Sequence, residues 1–260
     1  MPKSCRPRSA RAERSVGNER RRRGVAMLHI GTSGWSFPEW RDHFYPRDLP
    51  QKQWLEYYAQ RFTTVELNAA FYRMPSAPAI ATWRNAAPPG FLFSVKASQR
   101  LTHRRDAPSL VEVERFIARL EALGDRLGPF LFQFPPTRKR DDAWLHAYLD
   151  ALPSGNRYAF EFRHASWFQG DALALLQEHG IALVTSDYTE AAAQAVRTAS
   201  FGYVRFRGPA GADEPYTEAA LRAVHAQLQR LFHADEGVFI YFHHGLSGVA
   251  DAARATTLLH

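Results

Sequence analysis

The segment YAFEFRHASW, residues 158–167, combines a strand-like apolar pattern with side chains that can perform acid–base chemistry. Aromatic residues alternate with other residues at period two, which indicates a β-strand. The alternate face carries Glu161 and Arg163, and His164 follows directly. Because carboxylates and guanidinium groups are rarely buried unless they are paired, this strand must end at water, at a partner side chain or at a ligand.

Seven other segments end in the same way. The predicted strands cover residues 27–33, 63–69, 91–97, 129–135, 157–163, 181–187, 201–207 and 238–244. One register of each strand is mostly bulky and apolar, and the other ends in polar residues, namely Ser33, Glu66, Asn68, Lys96, Gln133, Glu161, Arg163, Asp187, Arg205, Arg207 and His243. A lone polar strand end usually begins a solvated loop, but eight polar ends on one side of eight strands indicate a shared functional surface.

Helical patterns separate these strands, at residues 51–62, 77–87, 109–127, 141–152, 169–180, 217–232 and 247–259, and segment 188–200 is either a short helix or a loop. Parallel strands need such crossovers, and eight units in about 235 residues predict an α/β (β/α)8 TIM-barrel-like single domain. The glycines of GTSGW do not match G-x-G-x-x-G, which disfavours a dinucleotide fold. In a barrel, inward residues at the carboxyl ends of the strands form the mouth.

Four of these residues are candidates for catalysis. Glu66 and Glu161 suit general acid–base work if their environments separate their pKa values, although Glu161 could simply pair with Arg163 or Lys96. Asp187 is a further acidic candidate. Lys96 is either an amine nucleophile of the Schiff-base type or a cationic clamp for substrate.

A metal site is the alternative use of Glu66, Glu161, Asp187 and His243, which all carry oxygen or nitrogen ligands. The sequence has no H-E-x-x-H or H-x-H motif, and four cationic side chains would crowd a metal ion, so we expect no metal and no cofactor. Aromatic residues just past the strand ends, Trp35, Tyr72 and Trp167, suit walls that stack on sugars or bases. His164 lies in the outward register, where it either contacts substrate or caps the next helix.

The last two strands suggest an anion site. Arg205 and Arg207 end the seventh strand, and the eighth is followed by Gly245, Ser247 and Gly248 before a helix. Barrels often bind phosphate with these two loops and a helix N-terminus. With Ser247 as the predicted N-cap, this region predicts binding of phosphate or carboxylate; otherwise the glycines only form a turn and the arginines pair with carboxylates.

Charge is distributed unevenly along the chain. Residues 1–23 contain nine basic and two acidic side chains, whereas the rest contains 24 of each. We therefore expect residues 1–26 to form a disordered basic tail. This tail is a transit peptide, an arm that contacts nucleic acid, or a segment that precedes a true start at Met27.

Compartment and membrane contact are also predicted from composition. The only cysteine, Cys5, lies in the tail, which fits a reducing cytoplasm. No apolar run approaches the roughly 18 residues of a membrane helix, so we expect no membrane partner. The sequence leaves the oligomeric state open.

Several motifs resemble one family. The segments IGTSGWSFPEWRDHFYP, VELNAAFYRMP, FSVKAS, FQFPP, FEFRHASW and YFHHGLSGVADAARATTLL are similar, in order, to those of the YecE-like family, catalogued as domain of unknown function 72. The resemblance covers residues 27–260 and implies a TIM-barrel-like fold, but it implies no established reaction. The family's last strand commonly ends in two asparagines, where this chain has His243 and His244.

Three functions follow from these features. The first is an enzyme, a hydrolase, lyase or isomerase, acting on a small anionic, phosphorylated or sugar-like substrate at the barrel mouth. The second is a protein that binds or processes nucleic acid through the tail, although the balanced charge of residues 27–260 disfavours contacts by the body. The third is a barrel that binds a ligand without turnover.

Overall fold

Eight parallel strands alternate with helices in the computed structural model, which describes residues 26–169, 171–188, 193–208 and 214–259. The strands are β1 (Met27–Thr32), β2 (Thr64–Leu67), β3 (Leu92–Lys96), β4 (Leu127–Gln133), β5 (Tyr158–Glu161), β6 (Ala182–Ser186), β7 (Gly202–Phe206) and β8 (Gly237–Phe242). Their order around the sheet is β1-β8-β7-β6-β5-β4-β3-β2, and the neighbours in this order pair in parallel. The predicted (β/α)8 barrel is confirmed.

Helices of four to 14 residues lie between and after the strands. Within the described ranges they are α1 (Trp54–Ala59), α2 (Ala69–Tyr72), α3 (Ala77–Ala86), α4 (Gln99–Thr102), α5 (Leu110–Ala118), α6 (Asp142–Asp150), α7 (Ala172–Glu178), α8 (Glu218–Leu231) and α9 (Leu246–Leu259). Short 3-10 segments cover Pro38–Trp40, Gln51–Gln53, Glu121–Arg126 and Ala165–Phe168. The predicted helix 109–127 ends at Ala118, and the 3-10 segment Glu121–Arg126 follows, within which Gly124 adopts φ +59°, outside the helical region.

Side-chain caps fix where several helices begin. Ser109 accepts a hydrogen bond from the Glu112 amide, and the Glu112 carboxylate accepts from the Ser109 amide, a reciprocal capping box at α5. Asp141 accepts from the Trp144 amide at the start of α6. Each cap satisfies an amide that the helix itself leaves unpaired, and so sets the residue at which the chain turns back along the barrel.

The two registers of the strands pack on different sides. Outward residues such as Val65, Phe93 and Phe160 are fully buried against the helices. Inward residues form a second apolar cluster inside the barrel, made of Leu131, Ala159, Ala182, Val184, Ala199, Phe201, Tyr203, Phe239 and Tyr241. This inner cluster closes the barrel below its mouth, so polar residues nearer the carboxyl ends of the strands rest on an apolar floor.

The β1–β2 junction is closed by a side chain instead of a backbone ladder. The Tyr58 hydroxyl accepts from the Thr32 amide at 2.8 Å and donates to the Thr64 carbonyl at 3.1 Å. Gly31 lies against β2, since a Cβ placed there would be 2.0 Å from the Thr64 carbonyl oxygen. Tyr58 of α1 therefore supplies the hydrogen bonds of this junction, which we call the β1–β2 seam.

Part of the sequence lies outside the described ranges. This includes residues 1–25, so the predicted disorder of the tail stays a prediction. It also includes residues 189–192 of the weakly helical segment 188–200. Within the described residues, no helix is both long and apolar enough to span a bilayer.

Candidate functional site

A buried ionic cluster lies at the carboxyl end of the barrel, around Arg205 of β7. Arg205 donates through Nη2 to Glu66 Oε1 at 3.0 Å and through Nη1 to Glu161 Oε2. Nη1 also lies 3.3 Å from Gln133 Oε1. These four side chains, from β7, β2, β5 and β4, are each less than a tenth exposed. The barrel thus brings together polar residues far apart in sequence.

Glu66 is held by two further donors. The Tyr203 hydroxyl donates to its Oε2 at 2.8 Å, and the Ser33 hydroxyl donates to its Oε1 at 3.1 Å. Arg205 is the third partner, so both carboxylate oxygens accept hydrogen bonds from protein groups. Glu66 therefore helps to hold Arg205 in place.

The neighbouring arginines lower the pKa of Glu161. Burial alone would raise this pKa, but the positive charges of Arg205 and Arg163 outweigh burial and lower it to about 2. Arg163 contributes a bond from Nε to Glu161 Oε1 at 3.0 Å. Burial alone would lower the pKa of Arg205, but the negative charges of Glu161 and Glu66 outweigh burial and raise it. Glu161 and Arg205 therefore stay ionised across the physiological pH range.

Lys96, at the end of β3, is the exception. Burial, reinforced by the charge of Arg205, lowers the pKa of its amine to about 8, despite the opposing effect of the two glutamates. Its Nζ lies 4.1 Å from the centroid of the Phe71 ring. This amine exchanges protons close to neutral pH, which suits nucleophilic or general-base chemistry.

Two arginines share one aromatic ring beside the cluster. The Cζ atom of Arg163 lies 4.6 Å from the centroid of the Tyr188 ring, and that of Arg207 lies 5.5 Å from it. Burial, together with the nearby charge of Arg163, lowers the pKa of Arg207. Two guanidinium groups on one ring concentrate positive charge and repel each other. A bound anion would reduce this repulsion by accepting hydrogen bonds from both groups.

These groups open into a cavity of about 1430 Å³. Lys96, Gln133, Arg163, Arg205 and Arg207 line one part of it. The rest is lined mainly by residues that follow β1 and β2 or come from the end of β8, including Ser33, Trp35, Phe37, Asn68, Phe71, Tyr72, Thr82, Trp83, Ala86, His243, His244 and Gly245. A large concave site with convergent polar groups at the carboxyl ends of barrel strands is where TIM-barrel enzymes place their active sites.

Comparison with known sequences identifies the family. Residues 29–260 match the family model described as "Protein of unknown function DUF72". The chain belongs to this family. The resemblance found in the sequence motifs is therefore confirmed over nearly the whole described barrel.

Curated DUF72-like relatives and solved structures agree with this assignment. The chain is 31% identical over 146 residues to the UPF0759 protein YecE of Escherichia coli K12, and 34% identical over 155 residues to the UPF0759 protein YunF of Bacillus subtilis 168. Each match covers 55% of this chain, and 50% and 52% of the two relatives. The chain thus spans about half the length of the curated relatives it matches.

Two crystal structures of DUF72 family proteins share the fold. That from Thermotoga maritima MSB8 has a TM-score of 0.75 and 27% identity, covering 90% of this chain and 99% of its own. That from Enterococcus faecalis V583 has a TM-score of 0.70 and 19% identity, covering 90% and 95%. The second likeness shows the fold alone.

Most residues predicted for the mouth lie in or under this cavity. Those that line it are Ser33, Trp35, Asn68, Tyr72, Lys96, Gln133, Arg163, Arg205, Arg207, His243 and Gly245. Glu66 and Glu161 lie beneath it, hydrogen-bonded to Arg205. Their roles in binding or catalysis stay predictions.

Four predicted residues lie elsewhere. Asp187 is exposed and accepts from the Arg207 amide and the Tyr216 hydroxyl. The inward register of β6 contains Val184 and Ser186, as the pairing of Ser186 with Arg205 requires. Asp187 therefore follows β6 in the outward register. Ser186, not Asp187, is the inward residue at the end of this strand.

Trp167 and His164 belong to the outer layer. Trp167 is fully buried, stacks on Phe162 at 4.2 Å and donates from Nε1 to the Arg138 carbonyl. His164 accepts from the Ser166 amide and so caps the 3-10 helix Ala165–Phe168. His164 follows β5 in the outward register, and Trp167 lies in the 3-10 helix and packs on the outward Phe162. Both side chains therefore lie behind the barrel wall, where they position the β5 loop.

The glycines after β8 also differ from the predicted anion site. The Gly245 amide donates to His243 Nδ1 at 3.1 Å, so this amide already has a partner. Gly248 lies inside α9, and a Cβ there would be 2.1 Å from the His243 carbonyl oxygen. Ser247 is within α9, which begins at Leu246, instead of preceding it. Here glycine serves close packing of the helix on β8 more than approach to a ligand.

Sequence reasoning missed several residues of the site. Tyr203 lies one inward step below Arg205, where the period-two pattern would have found it. Phe71, which underlies Lys96, and Trp83, which lines the cavity, come from helices α2 and α3. Helical residues give no strand-end signal, so only the three-dimensional structure brings them to the mouth. Among the described residues, no group of three or more His, Cys, Asp or Glu could hold a metal ion.

Proposed function

We propose that this DUF72 protein is an enzyme that acts on a small anionic substrate, with Lys96 as the reacting group. The observation that carries the proposal is a partly buried amine of lowered pKa next to uncompensated positive charge. Four cationic side chains, Lys96, Arg163, Arg205 and Arg207, meet two buried carboxylates at the mouth. The Asp187 carboxylate also acts on Arg207, so the excess is one positive charge, which favours an anionic ligand.

Arg163 and Arg207 are the proposed anion-binding pair. Both lie on the Tyr188 ring and both line the cavity. Arg163 pairs with Glu161 through Nε, whereas Arg205 is engaged through both Nη atoms, by Glu66 and Glu161, and serves to hold the cluster together. An arginine pair offers several N–H donors in planar arrays that match phosphate and carboxylate oxygens.

Lys96 then acts as general base or as nucleophile. With a pKa of about 8, about a tenth of its amine is neutral at pH 7. The neutral amine takes a proton from carbon beside a carbonyl group or adds to the carbonyl itself. Because Glu66 and Glu161 are committed to ion pairs, this chemistry favours a lyase or an isomerase over a hydrolase that uses two carboxylates.

Anion binding is tested by thermal unfolding with inorganic phosphate and sulfate. We expect both anions to raise the unfolding temperature of the intact protein, and Arg207→Gln to remove most of that rise. The matched control is Arg119→Gln, since Arg119 is exposed at the end of α5, away from the cavity. No anion-dependent stabilisation of the unmodified protein would contradict the proposal.

The amine is tested by reductive trapping. The sequence has four lysines, Lys3, Lys52, Lys96 and Lys139. With glyoxylate and cyanoborohydride, mass spectrometry of peptides should find Lys96 labelled first, with a rate that rises through a midpoint near pH 8. Lys52→Arg and Lys139→Arg should leave this labelling unchanged. Equal labelling of all lysines, or a midpoint near pH 10, would refute the role given to Lys96.

A further inference from the structure

The cavity has two sides of different chemistry. In the sheet order, β1 and β2 lie across the barrel from β5 and β6. Arg163 follows β5 and Arg207 follows β7, whereas Trp35 follows β1 and Trp83 lies on α3 after β2. Arg163 therefore lies across the mouth from a group of aromatic and apolar side chains, and Arg207, two strands from β1, lies at the side of the same mouth. We call this group of side chains the aromatic wall, made of Trp35, Phe37, Leu55, Trp83 and Ala86.

Two tryptophans form the centre of the aromatic wall. The rings of Trp35 and Trp83 meet edge to face, with centroids 5.4 Å apart and an interplanar angle of 86°. Both are half-buried and line the cavity. In this arrangement the edge of one ring meets the face of the other, which is a favoured contact between aromatic rings. A third flat ring that packs against the two tryptophans makes further contacts of the same kind.

The aromatic wall is held in place from behind. Gly34 turns the chain with φ +102°, and the Tyr45 hydroxyl donates to the Trp35 carbonyl oxygen. Trp40 donates from Nε1 to the His244 carbonyl at 2.8 Å, which ties the same loop to the end of β8. A wall fixed in this way does not need to be ordered when a ligand binds, so contact with it adds affinity at low entropic cost.

Two polar side chains on this side are paired with protein groups. Gln51 donates to the Ser36 hydroxyl at 3.0 Å, and the Thr82 hydroxyl donates to the Pro78 carbonyl at 2.9 Å. Glu39, Lys52 and Asn68 line the cavity beside the aromatic wall. A sugar ring needs several hydrogen-bond partners for its hydroxyl groups, and the five side chains of the aromatic wall supply few of them. The wall thus fits an aromatic ring better than a carbohydrate.

We infer that the substrate is an aromatic anion, whose phosphate or carboxylate binds Arg163 and Arg207 while its ring packs against Trp35 and Trp83. This inference rests on the proposed function and names its substrate class. The cavity, at about 1430 Å³, exceeds the 300–1,000 Å³ typical of small-molecule sites. An inorganic anion would occupy only its cationic side and leave the aromatic wall in water.

Isothermal titration calorimetry with four probes tests the inference. The probes are inorganic phosphate, phenyl phosphate, glucose 6-phosphate and phenol. We expect phenyl phosphate to bind at least tenfold more tightly than inorganic phosphate and glucose 6-phosphate, and phenol to bind weakly. Trp83→Leu and Trp35→Leu should each lower the affinity for phenyl phosphate to nearly that for inorganic phosphate. The affinity for inorganic phosphate should stay unchanged.

The control variant is Phe168→Leu, since Phe168 is a half-buried aromatic residue outside the cavity, and it should keep the full preference. Equal binding of phenyl phosphate and inorganic phosphate overturns the inference and leaves the proposed function standing. Tighter binding of glucose 6-phosphate also overturns it, in favour of a carbohydrate site. If no anionic probe binds, both the inference and the proposed function fail. Should a tryptophan variant not fold, the ratio of affinities in the unmodified protein decides.

Discussion

Glu161→Gln removes one negative charge from the buried cluster and keeps the size of the side chain. In the folded protein, burial alone would raise the pKa of Glu161 above its ordinary 4.5. The positive charges of Arg205 and Arg163 outweigh burial and lower this pKa to about 2. A difference of this size between folded and unfolded chain corresponds to about 3 kcal/mol of folding free energy at pH 7. We expect the variant to be destabilised by about that amount at neutral pH.

The pH dependence gives the sharper test. The folded-state pKa lies below the unfolded one, so the carboxylate stabilises the fold fully above about pH 4.5, and this stabilisation is lost as the pH falls towards 2. About 2 kcal/mol of it should disappear between pH 5 and pH 3. Glu161→Gln lacks this contribution at every pH, so its stability should fall less steeply over the same interval.

Urea unfolding followed by tryptophan fluorescence at pH 7, 5, 4 and 3 measures both effects. Glu56→Gln is the control, because Glu56 is exposed on α1, and it should change the free energy of unfolding by less than about 0.5 kcal/mol. If Glu161→Gln and the unmodified protein lose stability in parallel between pH 5 and pH 3, the ion pairs around Arg205 do not hold Glu161 as described.

Two further predictions concern the β1–β2 seam. Tyr58→Phe should lower the free energy of urea unfolding by about 1–3 kcal/mol, since the Thr32 amide and the carbonyl of β2 lose their buried partner; a cost no larger than that of Tyr57→Phe, on the same helix, would refute this. Gly31→Ala should cost about 3 kcal/mol or more, because its Cβ would meet backbone. Gly237→Ala, where the nearest atom is 3.4 Å away, should cost far less in the same assay.

The barrel could be predicted because the sequence pattern shows which residues of each strand face outward and which face inward. Apolar residues such as Phe160 alternate with polar strand ends such as Glu161, and the closed sheet brings those ends together. Eight such strands with helical crossovers leave few architectures open. The existence of the elements was therefore predicted well, whereas the length of the helix after Ser109 was not, since it ends at Ala118 and a 3-10 segment follows it.

Errors in the site came from loops. At Asp187 the strand VTSD allows two registers, and only pairing with β7 fixes Ser186 as the inward residue. Trp167 was predicted from its distance past a strand end, but its large apolar ring is buried on Phe162. Trp35 of the aromatic wall was predicted from its place just past β1, whereas Trp83 was not, because it reaches the mouth from a helix. Side chains on loops and helices are placed by tertiary packing, which period-two patterns do not record.

The β1–β2 seam has a consequence for the motions of the protein. β1 pairs with β8 over six residues, Met27–Thr32 with Gly237–Phe242, while β1 and β2 are joined through the Tyr58 hydroxyl. Local opening should therefore begin at the seam, where the amide of Thr32 is expected to exchange its hydrogen faster than its neighbours in the β1–β8 ladder. The seam lies on the same side of the barrel as the aromatic wall, so a ligand that spans the mouth would slow this exchange and report its own binding.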